Sequence, residues 1–193
     1  MEKGRKLQII KAADKRFSKH GLGKTTLDEV ARDLRIGKAT IYHYFNSKEE
    51  LFFETINWES SQIIEDVKAI FNNEQKDIHS RFIEYFTFKE SLNTRYKLIY
   101  EIILIILKDE GFEKEAEIIK NLIKKEEEIL SLAISSLYAA KIENMKPGLP
   151  LLFVLQSWGV LFSSKLSTLS DSNKAADAKE IFYKDMDKIL PKS

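Results

Sequence analysis

The chain has 193 residues, of which 44% are hydrophobic and 32% are charged, a balance typical of a folded protein and not of a disordered one. It contains no cysteine, which excludes disulfide bonds and cysteine-ligated zinc sites and fits a reducing cytoplasm. The longest apolar run, Ile102–Leu107, is too short to cross a membrane, and the first residues lack the apolar core of a secretory signal. We therefore expect a cytoplasmic protein.

Charge is distributed unevenly along the chain. The net charge is only +1, but residues 1–45 hold eleven Lys and Arg against five Asp and Glu and so carry +6, which leaves −5 on the remaining 148 residues. A basic N-terminal segment on an acidic body indicates a polyanionic partner for that segment. An ordinary solvated helix surface has a similar composition, so the charge supports this interpretation without establishing it.

The spacing of apolar residues predicts an all-α protein, because proline is absent before Pro147 and no long alternating pattern occurs. Helices are predicted at residues 4–20, 26–34, 38–45 and 47–71. Gly21 is expected to end the first of them, and capping boxes of Thr26 with Glu29 and of Ser47 with Glu50 begin the second and the fourth. These boundaries place a helix-turn-helix domain in residues 1–46 and a C-terminal helical domain in residues 47–193.

The C-terminal domain is predicted to be a helix bundle, with helices at residues 76–92, 95–108, 113–143, 151–169 and 174–190. The helix at 95–108 is apolar on nearly every side, so we expect it to be central and buried. The glutamates of the helix at 113–143, including Glu126, alternate with lysines and are interpreted as a solvated face.

The segment Thr25–Phe52 has the order of a helix-turn-helix: two short helices, a tight turn between them, and a third helix directly after. Ile41 and Phe45 are four residues apart and are expected to pack inward. The outer face of the second short helix then carries groups that suit base edges and phosphates. These are Lys38, Ala39, Thr40, Tyr42, His43 and Tyr44, with Lys48 nearby as a further phosphate ligand.

Residues 9–52 resemble the N-terminal DNA-binding domain of the TetR family of transcriptional regulators. Two positions depart from the usual pattern: Arg35 stands where a turn glycine is common, and Ala39 stands where recognition helices often have glycine. The pieces that carry the resemblance are Ile9-Ile10, Ala12-Ala13, Phe17, Gly21, Thr25-Thr26, Val30-Ala31, Ile36-Gly37-Lys38, Thr40-Ile41-Tyr42-His43-Tyr44-Phe45 and Ser47-Lys48-Glu49-Glu50-Leu51.

The resemblance implies a homodimeric repressor whose recognition helices enter successive major grooves of a palindromic double-stranded DNA operator. A small-molecule effector in the C-terminal bundle would release the operator, with the fourth helix carrying the motion. By the same resemblance, phosphates would be held by Thr26, Tyr42 and Lys48, and bases would be faced by Lys38, Ala39, Thr40 and His43.

The helix at 151–169 has two apolar stripes, one with Leu152, Leu155 and Gly159 and one with Leu151 and Trp158. A helix that is apolar on two faces needs two partners, and pairing with a second copy of the chain would supply the second. A monomer in which this helix is simply central is the alternative. The predicted dimer interface comprises Leu151, Leu155, Trp158, Phe162, Leu166, Ile181, Phe182, Met186 and Ile189.

Aromatic residues cluster in the helices at 76–92 and 95–108, where they could line a pocket for an apolar or aromatic effector. Aromatic residues at helical spacing are also typical of plain core, and that alternative stays open. The candidate effector residues are Tyr85, Phe86, Phe88, Tyr96, Tyr100, Phe112 and Trp158.

Other chemistry has little support in the sequence. The three histidines lie on separate elements, and neither a glycine-rich phosphate loop nor a nucleophile elbow occurs. We therefore predict no catalytic residues, no metal site and no cofactor. Two alternatives remain: a TetR-like DNA-binding protein without a small-molecule inducer, governed by a protein partner or acting architecturally, and an enzyme that uses the bundle.

Overall fold

The computed structural model describes residues 2–108, 113–141 and 145–166, and within these residues the chain is helical and has no strand. The all-α prediction is confirmed. The predicted helix at 174–190 lies outside the described residues. The helices are α1 (Glu2–Lys24), α2 (Leu27–Asp33), α3 (Lys38–Tyr44), α4 (Lys48–Phe71), α5 (Ile78–Glu90), α6 (Leu92–Arg95), α7 (Lys97–Ile106), α8 (Glu113–Lys141) and α9 (Leu149–Leu166).

The chain divides into two compact units. Unit 1 comprises Met1–Gln62 and Tyr96–Ile119, and unit 2 comprises Ile63–Arg95 and Lys120–Ser193. Helices α4 and α8 therefore each contribute residues to both units. This division rests on compactness, and the functional boundary at residue 46 stays a prediction.

The core of unit 1 begins with the apolar stripe of α1, where Ile9, Ala13 and Phe17 are almost completely buried. Leu27, Val30 and Ala31 of α2 and Ile41 of α3 are also buried, as helical spacing predicts. The Phe17 ring meets the edge of Phe52 at a centroid distance of 5.1 Å, which brings the start of α4 into the same core.

Gly21 lies where the first helix was predicted to end. Its backbone has φ 73° and ψ 173°, a conformation that favours glycine and that kinks α1 before its last residues. The helix axis therefore changes direction at Gly21, and the following segment leads directly into the Thr26 cap of α2.

The helix predicted at 95–108 is interrupted at Tyr96, which has a non-helical backbone and precedes α7. The carboxyl group of Glu59 in α4 caps α7, because it accepts hydrogen bonds from the backbone N–H groups of Ile99 at 2.7 Å and Leu98 at 3.4 Å. The expectation that this helix is buried on nearly every side is wrong. Ile102 and Ile103 are buried, but Ile105 is 37% exposed, because the unit covers only one face of the helix.

The core of unit 2 is aromatic. Phe82 packs on Phe71 and on Phe153, with ring centroids 5.1 and 4.6 Å apart, and Tyr85 packs on Phe71 and Phe86. The Tyr85 hydroxyl accepts a hydrogen bond from the Ser157 Oγ at 2.8 Å. Helices α5 and α9 thus meet through rings and one buried polar contact.

The interpretation of the α8 glutamates as a solvated face is wrong for two of them. Glu126 is completely buried and Glu115 is 5% exposed. Both fall on the helical stripe that buries Ile119, Leu122 and Leu130, so the same periodicity that buries the apolar residues carries these two carboxylates inward.

Candidate DNA-binding surface

Helix α3 has one buried face and one solvent face. Ile41 and the following Phe45 are completely buried, which anchors the helix on the core of unit 1. On the other side Lys38, Ala39 and His43 are exposed, and Tyr42 is 47% exposed. Thr40 and Tyr44 are half-buried, and the Tyr44 ring meets the edge of His43 at 5.0 Å. The predicted outer face of α3 is thus the accessible one.

The N-terminus of α2 is closed by the predicted capping box. The Thr26 Oγ1 accepts from the Glu29 backbone N–H at 3.3 Å, and the Glu29 carboxylate accepts from the Thr26 backbone N–H and hydroxyl, both at 2.9 Å. These hydrogen bonds lower the pKa of Glu29. Thr26 is exposed, but its hydroxyl and its backbone N–H both donate to Glu29, so a phosphate bound by Thr26 would have to replace that carboxylate.

The turn between α2 and α3 passes through a left-handed residue. Arg35 has φ 53°, the conformation that glycine adopts most easily, and its backbone N–H donates to the Arg32 carbonyl at 3.1 Å. Ile36 then donates to the Ala31 carbonyl at 3.0 Å, which completes the end of α2. The departure noted at Arg35 is therefore a real strain, of roughly 1–2 kcal/mol.

Lys38 does not extend freely into solvent. Its Nζ lies 2.8 Å from Asp28 of α2, and it also lies 5.7 Å from the centre of the Tyr42 ring. The carboxylate raises the pKa of Lys38. Sequence reasoning missed Asp28, which holds the Lys38 ammonium group close to the surface of α3. A phosphate or a guanine edge that binds Lys38 would have to replace this carboxylate.

Lys48 has a structural contact that the sequence did not indicate. Its Nζ donates to the backbone carbonyl of Leu22 at 2.8 Å, which joins the start of α4 to the kinked end of α1. An ammonium group has three N–H donors, so this bond leaves others for a phosphate. The start of α4 is capped by the Ser47 Oγ, while Glu50 accepts from Asn46 rather than from Ser47.

Arg16 fixes α1 against α2. Its guanidinium forms two parallel hydrogen bonds with Asp33, at 2.5 and 2.7 Å, and lies 3.4 Å from Glu29. This fork geometry lowers the pKa of Asp33 and raises that of Arg16. This ion pair fixes the orientation of α2 on α1, and with it that of α3, which follows α2 in the chain. Neither Arg16 nor Asp33 was singled out from the sequence.

The predicted effector residues occur mostly in the cores. Tyr85, Phe86, Phe88, Tyr100 and Trp158 are buried, as the core alternative expects. Tyr96 is half-buried, and Phe112 lies outside the described residues. Their effector role stays a prediction.

Among the predicted dimer residues, Leu155 is 53% exposed and Leu151 is half-buried. Leu152, on the same stripe as Leu155, is 44% exposed. Trp158 faces inward instead, with its indole N–H donating to Glu126 at 3.0 Å. The side chains of Phe162 and Leu166, and the residues Ile181, Phe182, Met186 and Ile189, lie outside the described part.

Comparison with known proteins identifies the helix-turn-helix. Residues 9–55 match the family described as bacterial regulatory proteins, tetR family. This segment of the chain therefore has the N-terminal DNA-binding domain of the tetR family. All eight residues predicted to contact DNA lie inside the matched TetR segment, which also includes the Arg35 turn and the Lys48 contact.

Similarity extends beyond this segment. The chain is 32% identical over 100 residues to the uncharacterized HTH-type transcriptional regulator YhgD of Bacillus subtilis, and the match covers 50% of this chain and 52% of that protein. It thus spans about half the length of this curated relative.

Two solved structures share the fold over nearly the whole chain. NemR of E. coli, in its reduced form, has a TM-score of 0.69 at 15% identity and covers 93% of this chain and 95% of its own. FadR of Bacillus subtilis, in complex with stearoyl-CoA, has a TM-score of 0.61 at 17% identity and covers 89% and 95%. The chain therefore shares its helical architecture with these two proteins. Within the described residues, no helix combines the length and apolar character needed to cross a membrane.

Proposed function

We propose that this protein is a cytoplasmic, dimeric transcriptional repressor of the TetR family that binds a near-palindromic DNA operator. The observation that carries the proposal is the exposed face of α3, which presents Lys38, Ala39, Tyr42 and His43 to solvent. The buried Ile41 anchors the opposite face of this helix on the core. A helix so held can enter a major groove without disturbing the core behind it.

The proposed contacts fall into two groups. Lys38, Ala39, Thr40 and His43 face bases, because their side chains are short or polar and lie on the first turns of α3. Phosphates are held by Thr26, Tyr42, Tyr44 and Lys48 at the edges of that surface. The +6 charge of residues 1–45 adds a sequence-independent attraction to the duplex.

Dimerisation is supported by the exposed apolar stripe of α9. Leu152 and Leu155 are 44% and 53% exposed, and the exposed Gly159 continues the stripe at helical spacing. Covering this stripe with a second copy of the chain would remove apolar surface from water. Two copies would place two α3 helices on one operator.

Release by a small molecule is the second part of the proposal. An effector shifts the equilibrium only if it binds the released state more tightly than the DNA-bound state. The shared fold with FadR, which was solved with stearoyl-CoA, supports a ligand of some kind. Helix α4 is continuous from Lys48 to Phe71, so it is suited to carrying the change. We propose no catalytic activity.

One observation favours a second candidate, a TetR-family DNA-binding protein without a small-molecule inducer. The aromatic residues predicted to form the effector pocket pack against one another, and Tyr85 and Phe86 are completely buried. A protein partner would then regulate DNA binding.

Selection of genomic DNA fragments by the purified protein, followed by footprinting, tests the proposal. We expect protection of two half-sites about one helical turn apart, with a reporter gene repressed when the site overlaps its promoter. Binding that is equal on all sequences at moderate salt would contradict a specific operator. Release of the fragment by a cell extract depleted of protein would separate the small-molecule candidate from the protein-partner candidate.

A further inference from the structure

Unit 1 contains a cavity of about 400 Å³ that is distinct from the DNA-binding surface. It lies beside the kinked end of α1, with walls from the start of α4, from α7 and from the first turn of α8. This volume lies in the lower range of small-molecule sites. The apolar wall comprises Phe17, Leu22, Phe52, Leu98, Ile102 and Ile105.

One acidic side chain in this cavity is buried with a carboxylate oxygen that no donor among the described residues reaches. Glu115 is 5% exposed, and its Oε2 has no hydrogen-bond partner among the described residues. A carboxylate oxygen taken out of water without a donor is costly, typically by more than an unpaired neutral group. Most buried polar atoms do have a partner, so this oxygen marks a place where a donor from outside the chain fits.

The polarity of the cavity is set by that residue. Lys19, Lys97 and Glu101 also line the cavity, but all three are exposed, so water can solvate their charges. Glu115 is the buried charge among these four, and a carboxylate can only accept hydrogen bonds. The interior therefore combines an apolar wall with a negative acceptor.

We infer that this cavity binds a small organic cation with an apolar body, such as a protonated amine. Its N–H donates to the Glu115 Oε2, and its hydrocarbon part packs against Phe17, Phe52 and Ile102. A charge-assisted hydrogen bond in a site largely shielded from water is stronger than a neutral one. An anion of the same shape would instead meet Glu115 with like charge.

The position of the cavity links ligand binding to DNA binding, an inference that rests on the proposed function. Gly21 and Leu22 line the cavity, and the Leu22 carbonyl accepts from Lys48 at the start of α4. A ligand that displaces Leu22 alters the segment that leads from α1 into the helix-turn-helix. Binding itself can be measured without DNA.

The test uses the full chain and a panel of three probes of one shape: 2-phenylethylamine, 2-phenylethanol and phenylacetate. Calorimetry and thermal unfolding at neutral pH should show binding of the amine and weaker or no binding of the alcohol and the acid. Glu115→Gln should weaken amine binding by about tenfold or more, since the amide oxygen can still accept a hydrogen bond but lacks the negative charge that strengthens it. Ile102→Trp, which fills the cavity, should abolish it.

Glu113→Gln is the matched control, because Glu113 is exposed on the same turn of α8 and does not line the cavity. Equal affinity of the amine for the Glu115→Gln and Glu113→Gln variants would overturn the assignment, as would equal binding of all three probes or of none.

A second measurement needs no ligand. A buried carboxylate oxygen without a donor destabilises the free protein, so Glu115→Met should raise the midpoint of thermal unfolding. A lowered midpoint would show a structural role for Glu115 and contradict the site. Amine binding that leaves DNA affinity unchanged would retain the site and remove only its role as an effector site.

Discussion

Lys89 of α5 and Glu126 of α8 form an ion pair in the interior of unit 2, and neither side chain is exposed. Glu126 also accepts the indole N–H of Trp158, and the Lys89 Nζ lies 3.5 Å from the centre of the Trp158 ring. Burial lowers the pKa of Lys89 to about 8 and raises that of Glu126, while their mutual attraction opposes both shifts. Each charge therefore depends on the other.

Removing one member of this pair should cost far more than removing both. Lys89→Met leaves Glu126 buried without its counter-ion and should lower the free energy of unfolding by about 3–5 kcal/mol. The double variant Lys89→Met/Glu126→Leu should recover most of that loss. Urea denaturation measures both, with the exposed Glu128→Gln as a control. The coupling would be contradicted if the double variant lost as much free energy of unfolding as the two single variants lose in total.

Stability should fall with rising pH because of Glu59. Burial, and a hydrogen bond with the Asp14 side chain, raise the pKa of Glu59 from 4.5 to about 8. Between these values the folded chain keeps a proton that the unfolded chain has lost, so unfolding releases a proton there. This stabilisation is complete below pH 4.5 and is lost as pH rises through about 8.

Glu59→Gln should remove this dependence, because an amide can still accept from Ile99 and donate to Asp14. Chemical denaturation across the same pH range should show the variant gaining on the wild type as pH rises. The exposed Glu101→Gln on α7 serves as the control and should follow the wild-type curve. Parallel curves for Glu59→Gln and wild type would refute the shift.

If the chain dimerises through α9 as proposed, Leu155→Asp should yield monomers in sedimentation velocity. Leu155 is 53% exposed on α9, so the substitution changes a surface that a partner would cover and leaves the core intact. Leu132→Asp on α8, at a position that is 77% exposed, is the matched control and should remain dimeric. Trp158 is unsuitable for this test because it is buried against Glu126, and its loss would disturb the fold itself.

Lys38 and Lys48 should respond differently to truncation. If Lys38 reads a base, Lys38→Ala should cost about 1–3 kcal/mol on the operator and little on random DNA. If Lys48 holds a phosphate, Lys48→Ala should weaken binding to every sequence and reduce the salt dependence by about one counter-ion. Titration by fluorescence anisotropy at several salt concentrations separates the two. An equal loss on operator and random DNA for Lys38→Ala would assign it to phosphate.

Arg35→Gly should stabilise the protein by about 1 kcal/mol, because Arg35 has φ 53° and glycine adopts this conformation without strain. Arg32→Gly, in the regular helix α2, is the control and should destabilise by about the same amount. Urea denaturation checks both variants. Destabilisation by Arg35→Gly would show that the Arg35 side chain compensates for its backbone.

Much of the fold could be predicted from local patterns. The helical stripes placed Ile41 and Phe45 in the core, and the Thr26 cap and the Gly21 kink lie at predicted positions. These features depend on residues three or four apart and on single backbone conformations. Glu126 was predicted to be solvated because it alternates with lysines, but it is buried. Its position on the apolar stripe of α8 indicated burial, so helical periodicity was a better guide here than the charge of the residue.

Local patterns did not predict the contacts that hold the proposed DNA-binding lysines in place. Lys38 pairs with Asp28 ten residues away, and Lys48 donates to Leu22 across 26 residues. Side chains this far apart meet only because the helices between them pack at particular angles.

The sequence by itself determined that the chain is helical, that Thr25–Phe52 is a helix-turn-helix, and which side of α3 faces solvent. Helical periodicity and capping are local, so a single chain segment contains all the information they need. Only the tertiary structure decided that Glu59 caps α7, that Lys89 and Glu126 pair in the core, and that Glu115 faces a cavity. The burial and the partner of a charged group depend on every element packed around it, and no local pattern contains that information.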